Sequence, residues 1–169
     1  MLTETIQLEK LRQRIEDVEY EAGSQSDFLD RGKPNAKQAK QAQELMDRLN
    51  EQTRVLQAEF KDLIASLRSR QPQVIEEWVN YHTNILQKIL EEQATDRNAT
   101  TRRFVAKNTL AEWEKVRTGE QDFVRINWHF LKDYREGVRK IGRQAAAHSK
   151  SKTTDQSQND GKAWWQFWK

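Results

Sequence analysis

The chain contains no cysteine, two prolines and six glycines in 169 residues. Without cysteine there are no disulfides, no thiolate catalysis and no cysteine-ligated metal. So few turn residues argue against a β-sandwich or a doubly wound sheet, whose many strands need frequent turns. Long apolar runs are missing too: nothing approaches the ~18 consecutive apolar residues of a membrane-spanning helix. The opening "MLTETIQLEKLRQRIEDVEYE" has no basic start followed by an apolar run, so a secretory signal is not expected and the cytoplasm is the expected compartment.

What the chain does have is 36% hydrophobic and 33% charged residues, dominated by Leu, Ala, Gln, Glu, Lys and Arg. That is the composition of long helices and coiled coils. The net charge of +3 is too small to imply a nucleic-acid partner by itself. Its distribution is uneven. The first helical run is acidic, with Glu4, Glu9, Glu16, Asp17, Glu19 and Glu21, whereas Lys132, Arg135, Arg139, Lys140, Arg143, Lys150 and Lys152 make the later stretch basic.

Apolar spacing divides the chain into four helical runs, expected over about 3–21, 35–70, 73–117 and 120–147. In the first, Leu8, Leu11, Ile15 and Val18 share a face, Ile6 lies alongside, and Thr3 is placed to cap the start. "AGSQSDFLDRGKPN" then predicts a loop. The second run is the most regular: Ala39, Ala42, Met46, Leu49, Thr53, Leu56, Phe60, Leu63 and Leu67 alternate in steps of three and four, widened by Leu45, Val55 and Ile64. Pro72 closes it and opens the third run, which carries Ile75, Trp78, His82, Ile85 and Ile89. That pattern fades over "EEQATDRNATT" and resumes at Phe104, Leu110, Trp113 and Val116, so one helix or two joined near Asn98 both fit; Gly119 supplies a stop. The fourth run places Phe123, Val124, Trp128, Leu131, Tyr134, Val138, Ile141 and Ala145 at helical spacing. The expectation is an all-α fold: a helical bundle or an elongated antiparallel coiled-coil hairpin in a domain over 1–147. A flexible linker over 148–162 and an aromatic tip over 163–169 complete the disordered tail.

Catalytic patterns are sparse. A di-iron bundle needs Glu-x-x-His pairs, but Val79, Ile126 and Ala145 stand three residues before His82, His129 and His148. There is no H-E-x-x-H, no glycine-rich phosphate loop and no G-x-S-x-G. Glu76 and Glu77 could be drawn as acid-base partners of His82, although a histidine on an apolar helix face is more often a satisfied core residue. No enzyme activity, metal or cofactor is expected. Arg102, Arg103 and Lys107, or Arg135, Arg139, Lys140 and Arg143, could line a phosphate-facing stripe, but interspersed acids make nucleic acid an unlikely partner.

The chain ends "KAWWQFWK", which gathers three of the six tryptophans. As a helical turn, Trp164, Trp165, Phe167 and Trp168 would share an arc, with Gln166 outside it. Beside Lys169 and the basic support of Arg135, Arg139, Lys140, Arg143, Lys150 and Lys152, these rings match the residue types that partition into lipid headgroup regions. The favoured expectation is therefore a non-enzymatic scaffold or adaptor held on an anionic membrane surface by this tip, with a homo-oligomer possible through the helical faces. A soluble adaptor whose tip docks into a groove on a partner protein is the alternative. In a further alternative the tip caps its own bundle and the basic helices bind nucleic acid.

Overall fold

A computed structural model describes residues 2–92, 98–127, 131, 134, 136 and 138. The chain divides into two units, Met1–Leu131 and Lys132–Lys169. The first is all-α, with four helices and no strand among the described residues: α1 (Thr3–Arg31), α2 (Ala36–Arg70), α3 (Pro72–Glu91) and α4 (Ala99–Thr118). In the second, Tyr134, Glu136 and Val138 have helical backbone, and Tyr134 and Val138 are buried.

α1 and α2 form an antiparallel hairpin. Gln7, Lys10, Leu11 and Arg14 lie beside Glu59 and Leu63, while Glu19, Ala22 and Ser26 lie beside Met46, Asn50 and Thr53. The loop expected over 22–35 is largely helix, because α1 continues to Arg31. Ala22 is buried, and Ser24 spends its hydroxyl on the Tyr20 carbonyl at 3.0 Å, so packing overrides the local Gly-Ser signal. The true break is short. Gly32 ends α1 with its N–H on Phe28 O at 2.9 Å, and a Cβ there would lie 2.6 Å from both the Phe28 ring and that oxygen. Lys33 takes a positive φ of 47°, Pro34 follows, and Asn35 starts α2 with a capping box: Asn35 Oδ1 accepts from Gln38 N–H at 2.9 Å and Gln38 Oε1 from Asn35 N–H at 3.1 Å.

The start of α1 also differs from the expected Thr3 cap. Leu2 is the N-cap, and the anchor is Glu77 of α3, which accepts from Leu2 N–H at 2.8 Å and from the Thr5 hydroxyl. In α2, Leu49, Leu56, Phe60, Ile64 and Leu67 are buried, whereas Val55 is 54% exposed and does not widen the stripe. At 1.5 Å per residue this helix is roughly 50 Å long.

Gln71 alone separates α2 from α3: its N–H closes α2 on Leu67 O at 2.8 Å, and its carbonyl accepts from Val74 N–H at 2.9 Å. α3 and α4 make the second hairpin, with α3 packed against both α1 and α2. α3 ends at Glu91, so residues 73–117 contain two helices. Gly119 closes α4 at φ 83°, a left-handed conformation that glycine adopts without a Cβ penalty, and Glu120 N–H reaches back to Lys115 O at 2.9 Å. Trp78 and Trp113 meet edge to face at the centre, 4.8 Å between centroids, and Phe60 packs on Trp78. Complete burial of the two indoles, ~200 Å² each at ~25 cal/mol/Å², contributes about 10 kcal/mol before entropy is counted.

Helix is not found where the fourth run was expected to begin. Residues 120–127 are non-helical and form a strap; at its end Asn127 O accepts from Leu131 N–H at 3.0 Å. Val124 and Ile126 are buried while Arg125 and Asn127 are exposed, and Phe123 packs edge-on against Phe60 at 5.3 Å.

Candidate functional site

The most concentrated polar chemistry in Met1–Leu131 is a buried cluster on α1. Glu9, Arg12 and Glu16 stand three and four residues apart, so they line one side of the helix beside Leu8 and Ile15. All three are buried, and the pairs are close: Arg12 Nη2 lies 2.8 Å from Glu9 Oε1, and Arg12 Nη1 lies 2.7 Å from Glu16 Oε1. Arg12 Nη1 also donates to Val124 O at 3.2 Å, which ties the strap to α1.

Glu9 is the hub. Its Oε1 accepts from Arg12 and from Gln13 Nε2, the latter at 2.8 Å. Its Oε2 accepts from the Trp78 indole N–H at 2.8 Å and meets His82 Nε2 at 2.7 Å. Burial opposes a charge here, but the Arg12 guanidinium, with His82 and the hydrogen bonds from both, outweighs it and holds the carboxyl far below the usual carboxylate range. An ionised carboxylate only accepts, so the proton between this pair sits on His82 Nε2. Burial pushes His82 below its ordinary value, which makes it a neutral imidazole stacked on Trp113. Tyr81 packs edge-on to His82 at 5.2 Å, and burial together with Glu9 pushes its hydroxyl up to about 12.

Glu16 is satisfied differently. Its Oε1 accepts from Ile126 N–H at 2.8 Å, while its Oε2 has no hydrogen-bond partner among the described residues. Burial pushes it up to about 7 despite Arg12. Two carboxylates on one arginine are thus driven apart: Glu9 stays charged, while Glu16 takes up its proton as pH falls below about 7.

As chemistry, the cluster binds helices and strap to one another. His82 is a satisfied core residue. Glu76, the partner suggested by sequence, instead pairs with Arg117, and Glu77 anchors the α1 start. Among the described residues, no group of three or more His, Asp or Glu side chains could hold a metal ion. The burial of Glu9, Arg12 and Glu16 was not anticipated. The available signal was their fit to the same three- and four-residue steps as Leu8 and Ile15.

On the surface, an open groove of about 510 Å³ is lined by Arg68, Pro72, Ile75, Glu76, Arg117 and Gly119. Arg117 is engaged there by Glu76, by Asn80 Oδ1 at 3.0 Å and by Glu114 at 2.8 Å. Of the α4 cations considered for phosphate, Arg103 spends Nη2 on Glu92 O at 2.6 Å and Lys107 is exposed. The tip residues Trp164, Trp165, Phe167, Trp168 and Lys169 lie outside the described residues, as do Arg135, Arg139, Lys140, Arg143, Lys150, Lys152 and the linker over 148–162. Among the described residues, no helix is long and apolar enough to cross a membrane. Comparison of the chain with protein-family models, curated proteins and solved structures finds no match.

Proposed function

We propose that this chain is a non-enzymatic helical scaffold or adaptor, attached to the cytoplasmic face of an anionic membrane by residues 163–169. The observation that carries the reading is the composition of that stretch: four large aromatic rings and Lys169 within six residues, downstream of a basic segment. Trp78 and Trp113, by contrast, are wholly enclosed by their own helices. The described core is thus filled by Trp78 and Trp113, and the sequence sets the terminal rings apart from it by a polar stretch over 148–162.

Magnitudes favour a membrane that supplies more than an apolar surface. If each ring buries ~100 Å², four rings contribute roughly 10 kcal/mol at ~25 cal/mol/Å². Ordering six residues costs ~1.5 kcal/mol each, or about 9. The small surplus needs support, and a basic residue near an anionic surface adds ~1 kcal/mol. Arg139, Lys140 and Arg143 are the proposed source, with avidity from a homo-oligomer as a second.

The test is co-sedimentation of the intact chain and a version ending at Gly161 with vesicles of mixed neutral and anionic phospholipid. Loss of sedimentation with unchanged helicity and melting supports the reading. A large drop in melting temperature would assign the tip to the protein's own core. Binding that requires a second protein would establish the groove-docking alternative.

A further inference from the structure

The strap over 120–127 leads into Lys132–Lys169 and is tied to the helices by several groups. Arg125 grips Glu19 through two bonds of 3.0 and 2.8 Å. Arg68 Nη2 of α2 donates to Gln121 O at 2.9 Å and to Asp122 at 3.2 Å. The central tie is Ile126 N–H to Glu16 Oε1, and it is the one with an imperfect partner.

Glu16 Oε2 is buried without a hydrogen bond among the described residues. An unpartnered oxygen costs far more on a buried anion than on a neutral acid. Val124 and Ile126 of the strap are both buried, and Ile126 N–H is bonded to the other oxygen of the same carboxyl at 2.8 Å. Glu16 therefore suits the closed arrangement in its neutral form. To ionise, it needs a new donor at Oε2, which water can supply once residues 124–126 part from α1.

We infer that residues 120–127 are a latch, closed on α1 while Glu16 is neutral and opening as Glu16 ionises, so that rising pH frees the segment leading into Lys132–Lys169. This does not depend on the membrane reading. The surrounding charges are consistent with it. Arg12 of α1 favours ionisation and Glu9 of α1 opposes it; Arg125 faces Glu16 from the strap. His82 of α3 acts on the cluster through Glu9, and Arg68 of α2 through Gln121 and Asp122. Burial, which outweighs Arg12, raises the Glu16 carboxyl from 4.5 to about 7. The closed form thus holds a proton that the open form releases. Its open-to-closed ratio rises about tenfold per pH unit across that window and levels above it.

The experiment is amide hydrogen exchange by NMR on the full chain from pH 5 to 8, corrected for intrinsic exchange. Ile126 protection is expected to fall about tenfold per unit up to about pH 7, while Leu56 inside α2 stays constant. The carbon shift of the Glu16 carboxyl should titrate with the same midpoint. Glu16→Gln should flatten the Ile126 profile, whereas Glu19→Gln should lower protection at every pH and keep the slope. A flat profile in the unmodified chain, a Glu16 midpoint near the ordinary carboxylate value, or a slope that survives Glu16→Gln would each overturn the latch. Should Glu16→Gln fail to fold, the carboxyl midpoint in the unmodified chain decides alone.

Discussion

Trp113 lies flat on the imidazole of His82, with centroids 3.8 Å apart and planes 8° apart. The stack fixes the ring plane, and the bond to Glu9 Oε2 then fixes which nitrogen carries the proton. Helices α1, α3 and α4 meet in these three side chains. Each contributes one, so the cluster joins the two hairpins through chemistry as well as shape.

His82 should remain a neutral Nε2–H tautomer well below pH 6.5, its ordinary titration point, because burial disfavours the imidazolium. Nitrogen chemical shifts of the imidazole across pH 5–8 measure this directly. A ring that protonates near 6.5 would refute the assignment.

Glu9→Gln should destabilise the fold by about 3–5 kcal/mol, since it leaves Arg12 buried with half of its charge partners removed. Urea unfolding at pH 7 reads the loss. Glu51→Gln is the control: its pair with Arg54 is solvent-exposed, so no comparable loss is expected.

The pH profile of stability carries two opposed slopes. His82 is depressed, so the unfolded chain takes up a proton first and stability is lost as pH falls below 6.5. Glu16 is raised, so the folded chain holds its proton longer and stability is lost as pH rises from 4.5 to about 7. Between 4.5 and 6.5 the two oppose each other. Glu16→Gln should therefore unmask a decline on acidification from pH 6.5 to 5, visible in urea midpoints. Below 4.5 Glu9, held low chiefly by Arg12 against its burial, adds a further acid loss.

Two glycines should respond in opposite directions to alanine. A Cβ at Gly23 meets nothing within 4 Å inside a helix, so Gly23→Ala should stabilise by roughly 0.5–1 kcal/mol. At Gly32 the same atom collides with Phe28, so Gly32→Ala should destabilise by about 1–3 kcal/mol. Melting temperatures of the two variants check both the length of α1 and its stop.

Vesicle binding should weaken when Arg139, Lys140 and Arg143 are all changed to Gln. The defect should shrink at high salt, where those charges are screened. An equal defect at all ionic strengths would remove them from the proposed membrane contact.

The all-α architecture was legible because its signals are local. The stripe through Leu49, Leu56, Phe60 and Leu67 repeats without interruption, and Pro72 and Gly119 punctuate it through backbone geometry alone. The run over 22–31 was read as loop because Gly23, Ser24 and Ser26 weaken helix locally, while the burial of Ala22 against α2 is a long-range fact. The strap was misread for the converse reason. Phe123 and Val124 fit a 3.6-residue stripe with later apolar residues, yet the alternation of Val124 and Ile126 with Arg125 and Asn127 has a period of two. The buried cluster was hidden further still. Glu9 is held inside by Arg12 and Gln13 from its own helix together with Trp78 and His82, which arrive with donors from some seventy positions away.

Gln71 leaves no slack where the first hairpin passes into the second. One added residue would advance the following helix by ~100° and swing Trp78 away from Glu9. Length at this junction is therefore expected to be as intolerant of change as any core side chain, and a glycine insert would act as a clutch, disengaging one half of the bundle from the rotational state of the other.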